Sequence, residues 1–204
     1  MSLVHLFDRS RCTENVRLRD GKTLCVRLVA SDDAEALQRY FRQLSARSRY
    51  NRFLGAISEL PASQLDHFVS AGENGRFTVT AAMMVDDRER IVGEARSGFE
   101  AETGNFEFGI SIDDRWQGQG IGSALLRNLE CRAAAMSAHR VFGDTLRSNE
   151  AMIALARKSG YAFTRHPDDW RLARFEKPID PLRRDIPCAS RRHLCERRAL
   201  EATV

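Results

Sequence analysis

The stretch Phe106–Leu126, FEFGISIDDRWQGQGIGSALL, constrains this chain more than any other. Its first residues alternate. Phe106, Phe108, Ile110 and Ile112 fall on one side and Glu107, Gly109 and Ser111 on the other, which is the period of a strand with one apolar face. Asp113-Asp114-Arg115-Trp116 breaks the alternation. Gln117-Gly118-Gln119-Gly120-Ile121-Gly122 then places three glycines in five positions. After it, Ala124, Leu125, Leu126, Leu129 and Ala133 recur at helical spacing. Strand, glycine turn and helix are therefore contiguous. The first turn of a helix has unpaired backbone N–H groups and a partial positive charge. Glycines remove the side chains that would hold an anion away from them, so the junction suits a main-chain phosphate cradle. Two such cradles fail the test of spacing. A P-loop needs Gly-Lys-Ser/Thr at its end, and Gly122 is followed by Ser123-Ala124. The dinucleotide fingerprint G-x-G-x-x-G needs glycine where Ser123 stands.

A third cradle fits. Gln117, Gly120 and Gly122 give Q-x-x-G-x-G, which resembles the acyl-CoA pyrophosphate loop of the GNAT family of N-acetyltransferases. Downstream, the helix led by Asn149, with Met152 and Leu155, ends in Gly160-Tyr161 and looks like that family's second motif. The resemblance spans residues 24–178 and implies an α+β fold, an α/β sandwich. Its mixed sheet of about six or seven strands is mostly antiparallel, splayed at the acyl-CoA cleft and flanked by helices. It also implies acetyl-CoA as cosubstrate, no metal, and an amine as acceptor. The cofactor would be held by Ile110, Ser111 and Ile112 on the strand, by Gln117, Gly118, Gln119, Gly120, Ile121, Gly122 and Ser123 in the loop, and by Asn149. Asn149 is equally suited to cap its helix.

Acyl transfer to an amine needs the ammonium proton removed, because an amine of pKa about 10.4 is protonated at neutral pH. Glu107 is the candidate base: it lies on the cofactor strand, on the side opposite Phe106, Phe108 and Ile110, and the family commonly carries a glutamate on this strand. His139 and Asp144 are the runners-up. Many family members place a tyrosine at the position of Ala156 to protonate the leaving thiol. Here it is absent, as it often is in the bacterial protein-lysine acetyltransferase subgroup. Leu44-Ser45-x-x-Ser48-Arg49-Tyr50-x-Arg52-Phe53 resembles the start of that subgroup's catalytic domain, as do Leu18-Arg19-Asp20-Gly21 and Val26-Arg27. The acceptor stays open between a protein lysine and a small amine, and a regulatory acyl-CoA-binding module without turnover is the alternative to an enzyme.

The rest of the chain reads as follows. Val16–Leu18 and Leu24–Leu28 form two short strands about Asp20-Gly21. Ser31-Asp32-Asp33 opens a helix, with Ser31 suited to its N-cap and the aspartates to its positive end, and with Ala34, Leu37, Phe41 and Leu44 on its apolar face. Ser45–Leu54 is a basic helix with Tyr50, Phe53 and Leu54 turned inward, and Pro61–Ala71 is a short helix. Phe77–Val85, Ile91–Phe99 and the Glu107 strand make an antiparallel meander. Val141–Leu146, Tyr161–Phe163 and Leu172–Phe175 complete the strands. Residues 1–23 are a lead-in and 179–204 a basic tail, expected to be partly disordered; from Pro181 on, six arginines against Asp185, Glu196 and Glu201 hold +3 of the net charge of +4. A basic balance held mostly by a tail is weak evidence for nucleic acid, and no nucleic acid is expected as a partner. Five cysteines without a C-x-x-C pair suggest free thiols in a reducing cytoplasm. The lead-in has no long apolar run, so neither signal peptide nor membrane contact is expected. A homodimer is consistent with the family.

Overall fold

The computed structural model describes residues 14–70 and 75–179; the tail from residue 180 and most of the lead-in lie outside the described residues. In chain order the strands are β1 (Glu14–Arg17), β2 (Thr23–Leu28), β3 (Arg76–Val85), β4 (Arg88–Glu100), β5 (Asn105–Ile112), β6 (Arg140–Leu146), β7 (Ala162–Arg165) and β8 (Leu172–Pro178). The helices are α1 (Ala34–Gln43), α2 (Ala46–Phe53), α3 (Ala62–Val69), α4 (Ile121–Ala135) and α5 (Glu150–Lys158). All eight strands join one sheet in the order β1-β2-β3-β4-β5-β6-β8-β7. Every neighbouring pair is antiparallel except β5 and β6.

That parallel pair is short. Asn105, Phe106 and Glu107 pair with Arg140, Val141 and Phe142, and there the pairing ends. Beyond it β6 continues only with β8, so β5 from Phe108 to Ile112 keeps an open edge. Gly143 stands at the point of divergence. A Cβ there would lie 2.6 Å from the Phe175 ring and 2.7 Å from the Phe108 carbonyl oxygen. The rings of Phe108, Phe175, Tyr161 and Phe163 pack beneath it at centroid separations of 5.5–6.1 Å. Only glycine lets this aromatic wedge and the two strands meet.

Alternation places one core on each face of the sheet. Against α4, with its buried Ile121, Ala124, Leu125, Leu126 and Leu129, lie Val79, Ala81, Val92, Ala95, Phe106 and Phe108. On the other face α1 and α3 enclose Leu37, Tyr40, Phe41, Leu44, Phe68 and Ile91. The β3–β4 register shifts between Ala81 and Ala82, leaving Val92 as an extra residue. Such a bulge re-aims side chains, and the freed Val92 carbonyl accepts the amide of Asp113 at 2.9 Å, anchoring the lead-in to the glycine loop.

Three local expectations are corrected. Ser31 does not cap α1: it begins a single 3-10 turn, Ser31–Asp33. Asp33 takes the Ala30 amide at 2.7 Å and the buried Arg27 guanidinium at 2.5 and 2.8 Å. Of Tyr50, Phe53 and Leu54, Phe53 alone turns inward, edge-on to Phe41 at 4.9 Å, while Tyr50 and Leu54 are exposed. Leu54 ends that helix in the left-handed region, with φ +54°. Finally, the cysteines are not all thiols: Cys131, buried in α4, is disulfide-bonded.

Candidate active site

The glycine loop adopts the conformation its composition allows. Gly118 and Gly120 have φ +75° and +101°, and a Cβ on either would meet nothing within 4 Å. Gly120 caps α4, whose first backbone hydrogen bond runs from Ala124 to the Gly120 carbonyl at 3.1 Å. The amides of Ile121, Gly122 and Ser123 precede that bond and face out of the helix end. Gly122 serves packing: a Cβ there would lie 2.9 Å from Leu155 Cδ2, so its absence lets α5 close on α4.

A cavity of about 400 Å³ opens in front of this loop. Ile110, Ser111, Ile112, Gln117, Gly118, Gly120, Ile121, Gly122, Ser123 and Asn149 all line it. Of the loop residues named from the sequence, Gln119 alone is absent from that lining: its amide turns toward the Arg115 carbonyl at 3.5 Å. Gln117 donates to the Ile112 carbonyl at 3.1 Å and so ties the loop to the end of β5. Asn149 caps α5 through the Met152 amide at 3.3 Å and donates to Thr145 Oγ1 at 3.0 Å. Ala156 is fully buried in the core, so its position offers no acid to the cavity.

Asp114 fastens the other wall of this cavity. Its carboxylate accepts the Ser45 amide at 2.9 Å and the Ser45 and Ser48 hydroxyls at 2.8 and 2.7 Å. Ser45 in turn caps α2. Burial pushes the Asp114 carboxyl up, but the Ser45 amide and the two hydroxyls outweigh it and hold it below the usual carboxylate range.

Beneath α2 lies a buried polar chain. Tyr40 OH meets Ser111 Oγ at 2.9 Å, Ser111 donates to Glu94 Oε1 at 2.7 Å, and Arg52 Nε donates to the same oxygen at 2.8 Å. Glu94 is 2% exposed. Burial first, and the Glu94 charge second, push the Tyr40 hydroxyl well above its ordinary pKa. The Arg52 guanidinium fills the space over Gly109, where a Cβ would sit 2.5 Å from Nη1.

Arg52 and Asn51 also line a second cavity of about 450 Å³, which holds Glu107 with Arg76, Arg96, Asp144 and His166. Glu107 is exposed within it. Asp144 is engaged by Arg174 at 2.8 and 2.9 Å and faces His166 Nε2 at 3.4 Å. His166 Nδ1 accepts the amides of Asp168 and Asp169 at 3.1 and 3.0 Å, which assigns the ring proton to Nε2. Both runner-up bases thus have other duties or places. Asp144 is spent on an ion pair, and His139 lines neither cavity but packs on Gly104. Sequence reasoning missed Tyr40, Glu94, Arg96 and His166. Glu94 carries the one legible signal, a carboxylate in the apolar run IVGEA, where a buried charge demands a partner.

Among the described residues no helix is long and apolar enough to cross a membrane, and no group of three or more His, Cys, Asp or Glu could hold a metal ion.

The sequence matches the acetyltransferase (GNAT) family over residues 35–161. It is 29% identical to an acetyltransferase of Pseudomonas aeruginosa over 152 residues, 74% of this chain and 82% of that protein. Among solved structures, the GNAT domain of PAT from S. lividans superposes with a TM-score of 0.74 at 26% identity, covering 82% of this chain and 97% of that one. YncA from Salmonella typhimurium, solved with its cofactor acetyl-CoA, shares the fold at a TM-score of 0.63 and 17% identity, over 77% of this chain and 94% of its own.

Proposed function

The chain belongs to the acetyltransferase (GNAT) family and is an acyltransferase that uses acetyl-CoA, and on that premise we propose that Glu107 is its general base and that its acceptor amine enters the Glu107 cavity. One observation carries the reading. The loop cavity and the Glu107 cavity adjoin at Asn51 and Arg52, and one strand, β5, supplies Ile110, Ser111 and Ile112 to the first and Glu107 to the second.

The residues fit the cofactor. Open space stands where side chains at Gly118 and Gly120 would project, and the amides at the start of α4 can take the pyrophosphate. The unpaired edge of β5, up to Ile112, offers N–H and C=O groups to the amides of the pantetheine arm, and a β5 amide is suited to polarise the acyl carbonyl. When bound, acetyl-CoA supplies an acetyl thioester. Glu107 takes the proton from the acceptor ammonium, directly or through one water. Ala156 offers no acid in return, and a thiol's ordinary pKa of about 8.5 makes a side-chain acid unnecessary.

A protein lysine is the acceptor that the Leu44–Phe53 resemblance favours, and the likeness to the S. lividans PAT domain supports it. Arginines at 47, 49 and 52 would suit a partner with acidic residues beside its lysine, but Arg52 is paired with Glu94 and Arg49 turns back to the Leu44 carbonyl, which leaves Arg47 of the three exposed.

The test is Glu107→Gln, which keeps the shape and removes the base. Thiol release from acetyl-CoA, with lysine peptides and small amines as acceptors, should fall about 10²–10⁴-fold while acetyl-CoA affinity holds. Near-normal turnover in this variant would remove Glu107 from the role. Wild-type protein that binds acetyl-CoA yet releases no thiol with any amine would leave the regulatory reading instead.

A further inference from the structure

The Glu107 cavity has a floor without side chains and a wall of cations. Pairing sets Arg76 opposite Gly98, Gly98 opposite Glu107, and Arg96 opposite Gly109. Cross-strand partners share a face, so Glu107, Arg76 and Arg96 surround a patch where Gly98 and Gly109 leave the backbone bare. Arg52 closes the patch from above, but its charge is taken by Glu94 at 2.8 Å. Arg76 and Arg96 are different. Among the described residues neither has an ion pair or a hydrogen bond of its own side chain. Arg96 is half-buried, with its guanidinium 4.6 Å above the Phe68 ring. Burial, then the nearby charges of Arg52 and Arg76, lower its pKa, against an opposing pull from Glu94. Two crowded guanidiniums in a cavity, beside one carboxylate assigned to an ammonium, form a dipolar site.

We propose that the acceptor carries an anionic group, a carboxylate or phosphate, close to its amine, and that Arg76 and Arg96 bind that group while the amine meets Glu107. The proposal rests on the reading of this cavity as the acceptor site. Guanidinium geometry suits both anions, because its paired N–H groups match two oxygens at once. The spacing limits the ligand. Glu107 and Arg96 are diagonal neighbours on adjacent antiparallel strands, about 7–8 Å apart at the backbone, and both side chains reach inward. Amine and anion are therefore joined by a short chain, as in a small ω-amino acid or in a lysine beside an acidic residue.

The experiment measures equilibrium binding to the CoA-saturated protein, so that no turnover is required. Two matched pairs are compared by calorimetry: γ-aminobutyrate against γ-aminobutyramide, and a capped lysine peptide with a neighbouring Glu against the same peptide with Gln. Wild type should bind the anionic member of one pair at least tenfold more tightly. Preference within the free pair identifies a small-molecule acceptor, and preference within the peptide pair a protein one. The preference should fall to about onefold in the Arg76→Gln/Arg96→Gln protein, in which acetyl-CoA affinity reports an intact fold. Equal binding within both pairs in wild type overturns the proposal, as does a preference that survives in the double variant. Failure of the base assignment would look different: Glu107→Gln would keep its turnover while the arginine-dependent preference remained.

Discussion

At Gly120 φ is +101° and a Cβ would enter open space, whereas two residues on, at Gly122, it would strike Leu155 Cδ2 at 2.9 Å. The two glycines of one motif answer to different demands. Gly120→Val meets no protein atom, so its cost to the fold is the left-handed backbone alone, about 1–3 kcal/mol. Its branched side chain stands where the pyrophosphate must approach. Acetyl-CoA affinity should fall at least tenfold, and unchanged affinity by calorimetry would refute the cradle. Gly122→Val should instead push α5 off α4. It should show chiefly as a lowered melting temperature, with loss of affinity following from the disturbed helix start. A thermal melt beside each titration separates the two. Were both variants to lose affinity at equal melting temperature, the packing role of Gly122 would be wrong.

Asp114 works at the scale of elements, since one carboxylate fixes the start of α2 to the lead-in of the loop through Ser45 and Ser48. Asn in its place keeps the shape and loses the charge that strengthens three bonds. With the site partly exposed, Asp114→Asn should cost about 1 kcal/mol, or about 2–4 °C in melting temperature at neutral pH. The folded-state pKa is lowered, so this stabilisation is present above the ordinary carboxylate pKa and disappears as pH falls through the folded value. The gap between wild type and Asp114→Asn should therefore close in acid, and a constant gap across the acid range would contradict the assignment. These ties mark where the sequence stops being readable. The β3–β4–β5 meander, the loop and α4 were legible because each is written in a local period or in glycine spacing. The side of β5 that Glu107 takes was legible because alternation gives it. The partners of α2 were not. SARSRYNRFL reads as a solvated basic face, yet Arg49 bends back to a carbonyl of Leu44, and Arg52 crosses to Glu94, 42 residues away. Nothing in a local pattern records such a distance. Tyr50 and Leu54 misled for a similar reason. Their apolar character suggested burial, but the chain leaves the helix at Leu54 and only Phe53 reaches the core.

For the whole molecule, Glu94 is where the parts meet. It stands in the middle of the sheet, receives Ser111 from β5 and Arg52 from α2, and reaches Tyr40 of α1 through Ser111. Arg52 lines both cavities, so the same pair that seats α2 stands between the loop cavity and the Glu107 cavity. Its electrostatics decide what substitution does. Both side chains are largely withdrawn from water, at 2% and 13% exposure. Removing only the carboxylate strands a guanidinium in a poor solvent, a loss of about 3–5 kcal/mol. Replacing both by apolar groups of similar volume removes the pair and its desolvation penalty together, which is often close to neutral. Glu94→Leu should therefore lower the melting temperature by about 6–20 °C at about 2–4 °C per kcal/mol. Glu94→Leu with Arg52→Met should recover most of that loss, although Ser111 then lacks its acceptor. The coupling is read from the four corners of a double-mutant cycle by denaturant unfolding. Turnover gives a second readout. The doubly substituted protein keeps the loop but loses the pair between the cavities, so kcat/KM for the amine should fall more than affinity for acetyl-CoA. If Glu94→Leu unfolds at the wild-type temperature, or if the second substitution adds to the loss instead of relieving it, the pair does not seat α2 and the helix must be held by other contacts.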